Sequence, residues 1–160
     1  MRILNLSTGL TVALFFVIWP IFQFTAFHVA SKIFDCYLSP YAKAFRPLAW
    51  EKNGEIYNSL FRIHRWKRYL PDGGAIVKKD FNKKKLASFS KANLEKFLEE
   101  SCRAELSHFI AITPFWLFGF IAPIEVVPFM LIYALAANVP CIMAQRYNRP
   151  RIERVLRQRP

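Results

Sequence analysis

Charge in this chain is sorted into blocks, and the sorting restricts the fold more than any other feature. Residues 3–31 contain no Asp, Glu, Lys or Arg, and residues 106–145 contain only Glu125. About 20 consecutive apolar residues are what a helix needs to cross the hydrocarbon core of a bilayer. A segment in that medium must satisfy its own backbone hydrogen bonds, which selects helix. The remaining charge is strongly basic, 23 Lys and Arg against 11 Asp and Glu, for a net +12. A chain that is 54% hydrophobic carries this excess by keeping the two kinds of residue apart. The expected fold is an all-α integral membrane protein.

Three transmembrane helices are predicted within a single membrane domain over 1–160: an N-terminal span over about 6–34 and a C-terminal helical hairpin with spans of about 107–122 and 126–144. The first run is too long for the apolar part of a signal peptide, and no small-residue cleavage pattern ends it. Pro20 is expected to kink it, and Gln23 and His28 are polar residues within it. The 40 residues of 106–145 exceed one span and suit two, with a turn among Gly119, Pro123, Glu125 and Pro128. The alternative keeps two full spans and makes this run a re-entrant or in-plane hairpin. Either way the basic loop 35–106 and the basic tail 145–160 share one side. The positive-inside rule makes that side the cytoplasm, giving a multi-pass protein of the cell membrane.

The loop mixes aromatic and basic residues: Tyr41, Phe45, Trp50, Tyr57, Phe61, Trp66 and Tyr69 alternate with Lys43, Arg46, Lys52, Arg62, Arg65, Lys67 and Arg68. Between apolar spans, this pattern predicts interfacial helices in the headgroup layer rather than a nucleic-acid surface. Pro71-Asp-Gly-Gly74 reads as a turn. Lys78, Lys79 and Lys83–Lys85 form a cationic cluster, suited to anionic lipid or to the phosphates of an acyl donor. A helix is expected from Lys91, with Ser90 as N-cap, running unbroken to Pro114.

That helix carries Glu105 and His108 on one face where water gives way to lipid. A carboxylate beside an imidazole is a general-base pair, the acid orienting the base, or else a plain ion pair at a helix surface. Counting from a turn at Glu125 sets His108 level with Ile142–Arg146. Asn138 then lies one to two turns deeper, about 8–10 Å at 1.5 Å per residue. Gln145-Arg-Tyr-Asn-Arg-Pro-Arg151 supplies the densest set of donors at the same surface. Cys36, Cys102 and Cys141 have neither disulfide nor metal spacing, so no metal site is expected. Cys102, next to the pair, is an alternative nucleophile. No histidine has Asp five residues on, no G-x-S-x-G elbow occurs, and no Asp-rich cluster points to a magnesium-dependent transferase.

The strings Arg103-Ala-Glu-Leu-Ser-His108, Asn138-Val-Pro…Gln145-Arg-Tyr-Asn-Arg-Pro-Arg151 and Arg65-Trp-Lys67…Asp72-Gly73 resemble those of the glycosyl-4,4′-diaponeurosporenoate acyltransferases, small membrane enzymes of staphyloxanthin synthesis. The likeness covers about residues 50–157 and is negligible across the first span. It implies an O-acyltransferase that esterifies a fatty acyl chain onto a hydroxyl of a lipid-linked sugar, a carotenoid glycoside. No bound cofactor is implied, with acyl-CoA or an acyl carrier protein as donor. On this reading His108 is the base and Glu105 its orienting acid. Gln145, Arg146 and Asn148 are candidate oxyanion donors, and Asn138, Tyr147 and Arg149 further substrate contacts. Arg103 and Lys67 are expected to hold donor phosphates. The partners are the bilayer, the lipid-linked acceptor and the acyl donor, with a homo-oligomer as an option. The competing readings are a non-enzymatic membrane scaffold and an acyltransferase for another lipid.

Overall fold

A computed structural model describes residues 6–33, 35–70 and 90–158. The Pro71–Gly74 turn and the lysines at 78–85 lie outside them. Among the described residues every regular element is helical, and an irregular stretch at 38–48 joins the short helices of the loop. Two compact units form, one from the chain through Lys32 with Leu106–Val139, the other from Ile33–Glu105 with the chain from Pro140 onward.

In the first unit, α1 spans Thr8–Ser31. Ser7 caps it, its hydroxyl accepting from the Leu10 N–H at 3.4 Å, and the Thr11 hydroxyl donates to the Ser7 carbonyl at 3.0 Å. Pro20 sits inside the helix without ending it. α4 (Lys91–Ile112) ends in this unit and α5 (Val126–Arg157) begins in it. Trp19, Phe118, Met130 and Ala134 are buried together, with Phe15 and Phe22 packed against them. Phe118 is the hub. Its ring centroid lies 4.9 Å from Phe15 and 5.8 Å from Phe22, both edge-on, an arrangement favoured by the ring quadrupole.

The expected span 107–122 differs from a membrane helix of uniform pitch. α4 stops at Ile112, and Thr113–Phe120 is a 3-10 helix. Pro114 is the cause: it has no N–H to give the Ile110 carbonyl. The Thr113 hydroxyl supplies that bond instead, at 2.8 Å. Among the described residues two helices, α1 and α5, are long and apolar enough to cross a membrane, where three were expected.

The second unit starts with short pieces. A 3-10 segment, Ala49–Gly54, leads into α2 (Glu55–Phe61) and α3 (Ile63–Trp66). Lys52, Asn53 and Gly54 all have positive φ, at 48°, 53° and 83°. Gly54 has a second constraint. A Cβ there would stand 3.0 Å from the Arg146 carbonyl oxygen and 3.2 Å from the Tyr147 Cα. Pro150 cannot donate to that same Arg146 carbonyl, so only glycine lets the Ala49–Gly54 segment close against this point of α5. Tyr57, Ile63, Ala144 and Tyr147 are buried there, with Trp66 and Met143 packed beside them. The tail expected at 145–160 is an uninterrupted continuation of α5 as far as Arg157.

Candidate functional site

α4 starts at Lys91, where the Ser90 hydroxyl accepts from the Asn93 N–H at 3.4 Å. Its last turns hold Glu105 and His108, which engage different partners. His108 Nδ1 lies 2.9 Å from Asn138 Oδ1. The amide of Asn138 is itself held: its Nδ2 donates to the Ala134 carbonyl at 2.9 Å, and the side chain is buried. With Nδ2 turned to that carbonyl, the oxygen is what faces the ring, and an amide oxygen only accepts. The proton of a neutral His108 therefore sits on Nδ1 and the lone pair on Nε2, the tautomer of a general base.

This pairing corrects the register counted from the sequence. The turn occupies 121–125 and α5 opens at Val126, so the midpoint is Pro123 rather than Glu125. Fifteen residues on either side of it bring Asn138, not Ile142, opposite His108. Asn138 is level with the imidazole instead of one to two turns deeper.

Glu105 belongs to a buried ionic cluster in the second unit. Arg146 Nε donates to its Oε1 at 2.6 Å and Arg149 Nη2 to its Oε2 at 2.5 Å. Arg146 Nη1 also reaches Glu51 Oε1 at 2.7 Å, and that oxygen accepts from the Tyr57 hydroxyl at 2.5 Å. The Leu48 N–H donates to the other Glu51 oxygen at 2.8 Å. Two further guanidinium nitrogens donate to main-chain carbonyls, Arg146 Nη2 to Ala44 at 3.1 Å and Arg149 Nη1 to Phe45 at 2.5 Å, while Arg149 Nε is buried with no hydrogen-bond partner among the described residues. Glu51, Glu105 and Arg149 are at most 1% exposed. Charges so deeply buried persist only when paired and hydrogen-bonded. Burial, then the hydrogen bond to Glu51, raises the Tyr57 phenol well above its ordinary range.

The other expected contacts divide between structure and surface. Arg103 is buried, donating to the Asp35 carboxylate and, at 2.8 Å, to the Ile33 carbonyl. Lys67 Nζ donates to Asn148 Oδ1 at 2.7 Å and lies 4.7 Å from the centre of the Tyr147 ring. Arg151 stacks on that ring at 3.5 Å. Burial, then the Arg151 charge, lowers the Lys67 ammonium from its usual range. Gln145 is half-buried, His28 is exposed on α1, and Cys102 is fully buried.

A sequence model of the glycosyl-4,4′-diaponeurosporenoate acyltransferases matches residues 41–158. The chain belongs to this family. A relative of that name from Staphylococcus haemolyticus is 36% identical over 128 residues, covering 78% of this chain and 74% of its own. Another, from Staphylococcus aureus strain bovine RF122 / ET3-1, is 34% identical over 139 residues, 87% of this chain and 84% of its own. No solved structure matches. The protein is thus an acyltransferase by family, and the matched region includes Glu51, Tyr57, Glu105, His108, Asn138, Arg146 and Arg149 while α1 precedes it. Sequence reasoning did not single out Glu51 and Gly54. Glu51 was detectable only as an isolated acid in an aromatic and basic stretch, and Gly54 as the glycine closing Lys52-Asn53-Gly54.

Proposed function

We propose that this family member is a membrane O-acyltransferase that esterifies a fatty acyl chain onto a hydroxyl of a lipid-linked sugar. The names of its relatives make a carotenoid glycoside the favoured acceptor. The observation that carries the mechanism is the fixed Ala134–Asn138–His108 chain of hydrogen bonds. His108 Nε2 takes the proton of the acceptor hydroxyl as its oxygen attacks the carbonyl of an acyl thioester. The tetrahedral intermediate expels the thiolate, which recovers the proton from His108. Asn138 performs the orienting that the sequence assigned to Glu105, and Glu105 acts as a positioning residue by holding Arg146 and Arg149.

A membrane setting is supported by apolar side chains that point outward. Phe16 and Phe24 on α1 are 78% and 67% exposed, and Phe129 and Ile132 on α5 are 70% and 63% exposed. Rows of this kind suit lipid, not water. For the third crossing, a 3-10 helix rises about 2.0 Å per residue against 1.5 Å in an α-helix. Residues 107–112 and 113–120 together then extend roughly 25 Å, close to the ~30 Å hydrocarbon core. The proposed topology keeps loop and C-terminus cytoplasmic.

Mass spectrometry of lipid extracts tests the function. Cells expressing the protein should contain an acylated glycolipid that is missing when His108→Ala replaces it at equal abundance. Identical extracts with and without the protein would refute acyl transfer to a lipid acceptor. Accessibility labelling of a cysteine at position 125 from the outside, and at 158 only from the inside, tests the topology.

A further inference from the structure

The second unit contains a groove of about 360 Å³ that the chemistry above does not use. That volume falls in the range of small-molecule sites. Arg46, Arg154 and Arg157 line it with Tyr41, Asn53 and Glu153. Pro40, Pro47 and Pro150 complete the walls, and their fixed φ angles make the shape largely preformed. Arg154 and Arg157 lie on the last turn of α5, where basic side chains ordinarily offset the helix dipole. That accounts for those two only. Arg46 comes from a different segment of the chain, yet it borders the same groove.

Glu153 adds a second, independent requirement. Its Oε1 is buried with no hydrogen-bond partner among the described residues. A buried acceptor left in that state is destabilising, and a hydroxyl donor would relieve it. A ligand that suits the groove therefore combines negative charge with a nearby hydroxyl. Tyr41, 59% exposed, offers a ring face of the kind on which nucleic bases stack.

We propose that this groove binds the phosphorylated nucleotide of a coenzyme A acyl donor. The three arginines hold the phosphates, Glu153 accepts from the ribose 2′-hydroxyl, and Tyr41 stacks on the base. The proposal rests on the acyl-transfer reading for the role of the ligand, and it selects coenzyme A over a carrier protein as the source of the thioester. A phospholipid headgroup shares the phosphate and, in phosphatidylglycerol, the hydroxyls. It offers no base.

Calorimetry on the full-length protein in detergent, with adenosine 3′,5′-bisphosphate as probe, tests this. Binding should saturate, and Arg154→Ala and Arg157→Ala should each weaken it about tenfold without moving the melting temperature, since both side chains are exposed. Glu153→Gln should weaken the ribonucleotide more than its 2′-deoxy analogue. No binding of the bisphosphate, or binding indifferent to both arginines, overturns the proposal. So does binding to phosphatidylglycerol vesicles, absent with phosphatidylcholine, that depends on Arg154 while the nucleotide does not bind. The two readings separate cleanly. Bisphosphate binding with no acyl transfer defeats the enzymatic reading alone. Acyl transfer from acyl-CoA with an unchanged KM in Arg154→Ala defeats the groove alone.

Discussion

The two units of this protein solve the burial problem with opposite chemistries. In the first, Trp19, Phe118, Met130 and Ala134 meet through rings and methyl groups, and the polar side chains of His108 and Asn138 face each other. In the second, the largest buried side chains include Arg149, Glu51 and Glu105, held by hydrogen bonds from guanidinium, phenol and amide donors that leave both carboxylates fully engaged. Packing is non-directional and tolerates near-substitutes. A buried ionic cluster tolerates none, because removing one member strands the rest. The same contrast separates the imidazole of His108, proposed as the base, from arginines that are structurally committed.

The sharpest break of that comparison is kinetic. His108→Ala should lower acyl transfer by about 10²–10⁴-fold while leaving the melting temperature close to that of the parent. Asn138→Ala should lower it less, since it disturbs the tautomer and orientation rather than removing the base. An Asn138→Ala enzyme with full activity would reassign the orienting role.

Next in size is stability. Glu105→Ala should cost about 3–5 kcal/mol by leaving Arg149 without its carboxylate and Arg146 with Glu51 alone. Glu105→Leu should recover none of it, because volume is not what is missing. Phe118→Leu, by contrast, should keep most of the stability lost in Phe118→Ala, about 3–5 kcal/mol. Equal behaviour of the two leucine variants in chemical denaturation would dissolve the contrast between the units.

Gly54→Ala should cost about 2–4 kcal/mol, from an unfavourable positive φ together with a clash against main-chain atoms that cannot swing away. A Gly54→Ala protein of unchanged stability would show that α5 can shift there at no cost.

The smallest effect is a dependence on pH. The Tyr57 phenol keeps its proton in the folded state to higher pH than in the unfolded chain. Above the ordinary phenol value of about 10, the unfolded state therefore binds fewer protons, and stability falls as pH rises further. Below that value the contribution is complete. Tyr57→Phe should cost about 1.5–3 kcal/mol near neutral pH and flatten this alkaline slope. An unaltered slope would assign it to other groups.

Helix was legible because its causes are local. The apolar run behind α1, the cap at Ser90 and the breaker at Pro114 can each be read within a few residues. The 3-10 pitch of Thr113–Phe120 was harder to foresee, since Pro114 permits a kink, a break or a change of pitch, and the Thr113 hydroxyl selects among them. His108 and Asn138 were both visible as polar residues in apolar surroundings. Their pairing hinged on two residues of turn position, which periodicity does not resolve. The partners of Glu105 were the least accessible, because nothing local distinguishes Arg146 and Arg149 from Arg151 or Arg154. Only the approach of the Ala49–Gly54 segment, through a glycine with positive φ, decides which arginines become buried.

The ionic cluster also sets how this part of the chain can change over generations. Glu51 and Glu105 carry two negative charges, and Arg146 and Arg149 carry two positive ones. Any single replacement that alters charge leaves an odd number in the interior, so each first step is penalised whatever its destination. Variation should therefore arrive in compensated pairs or not at all, while the aromatic residues around Phe118 drift one at a time. Relatives that have lost Glu105 should have lost an arginine with it.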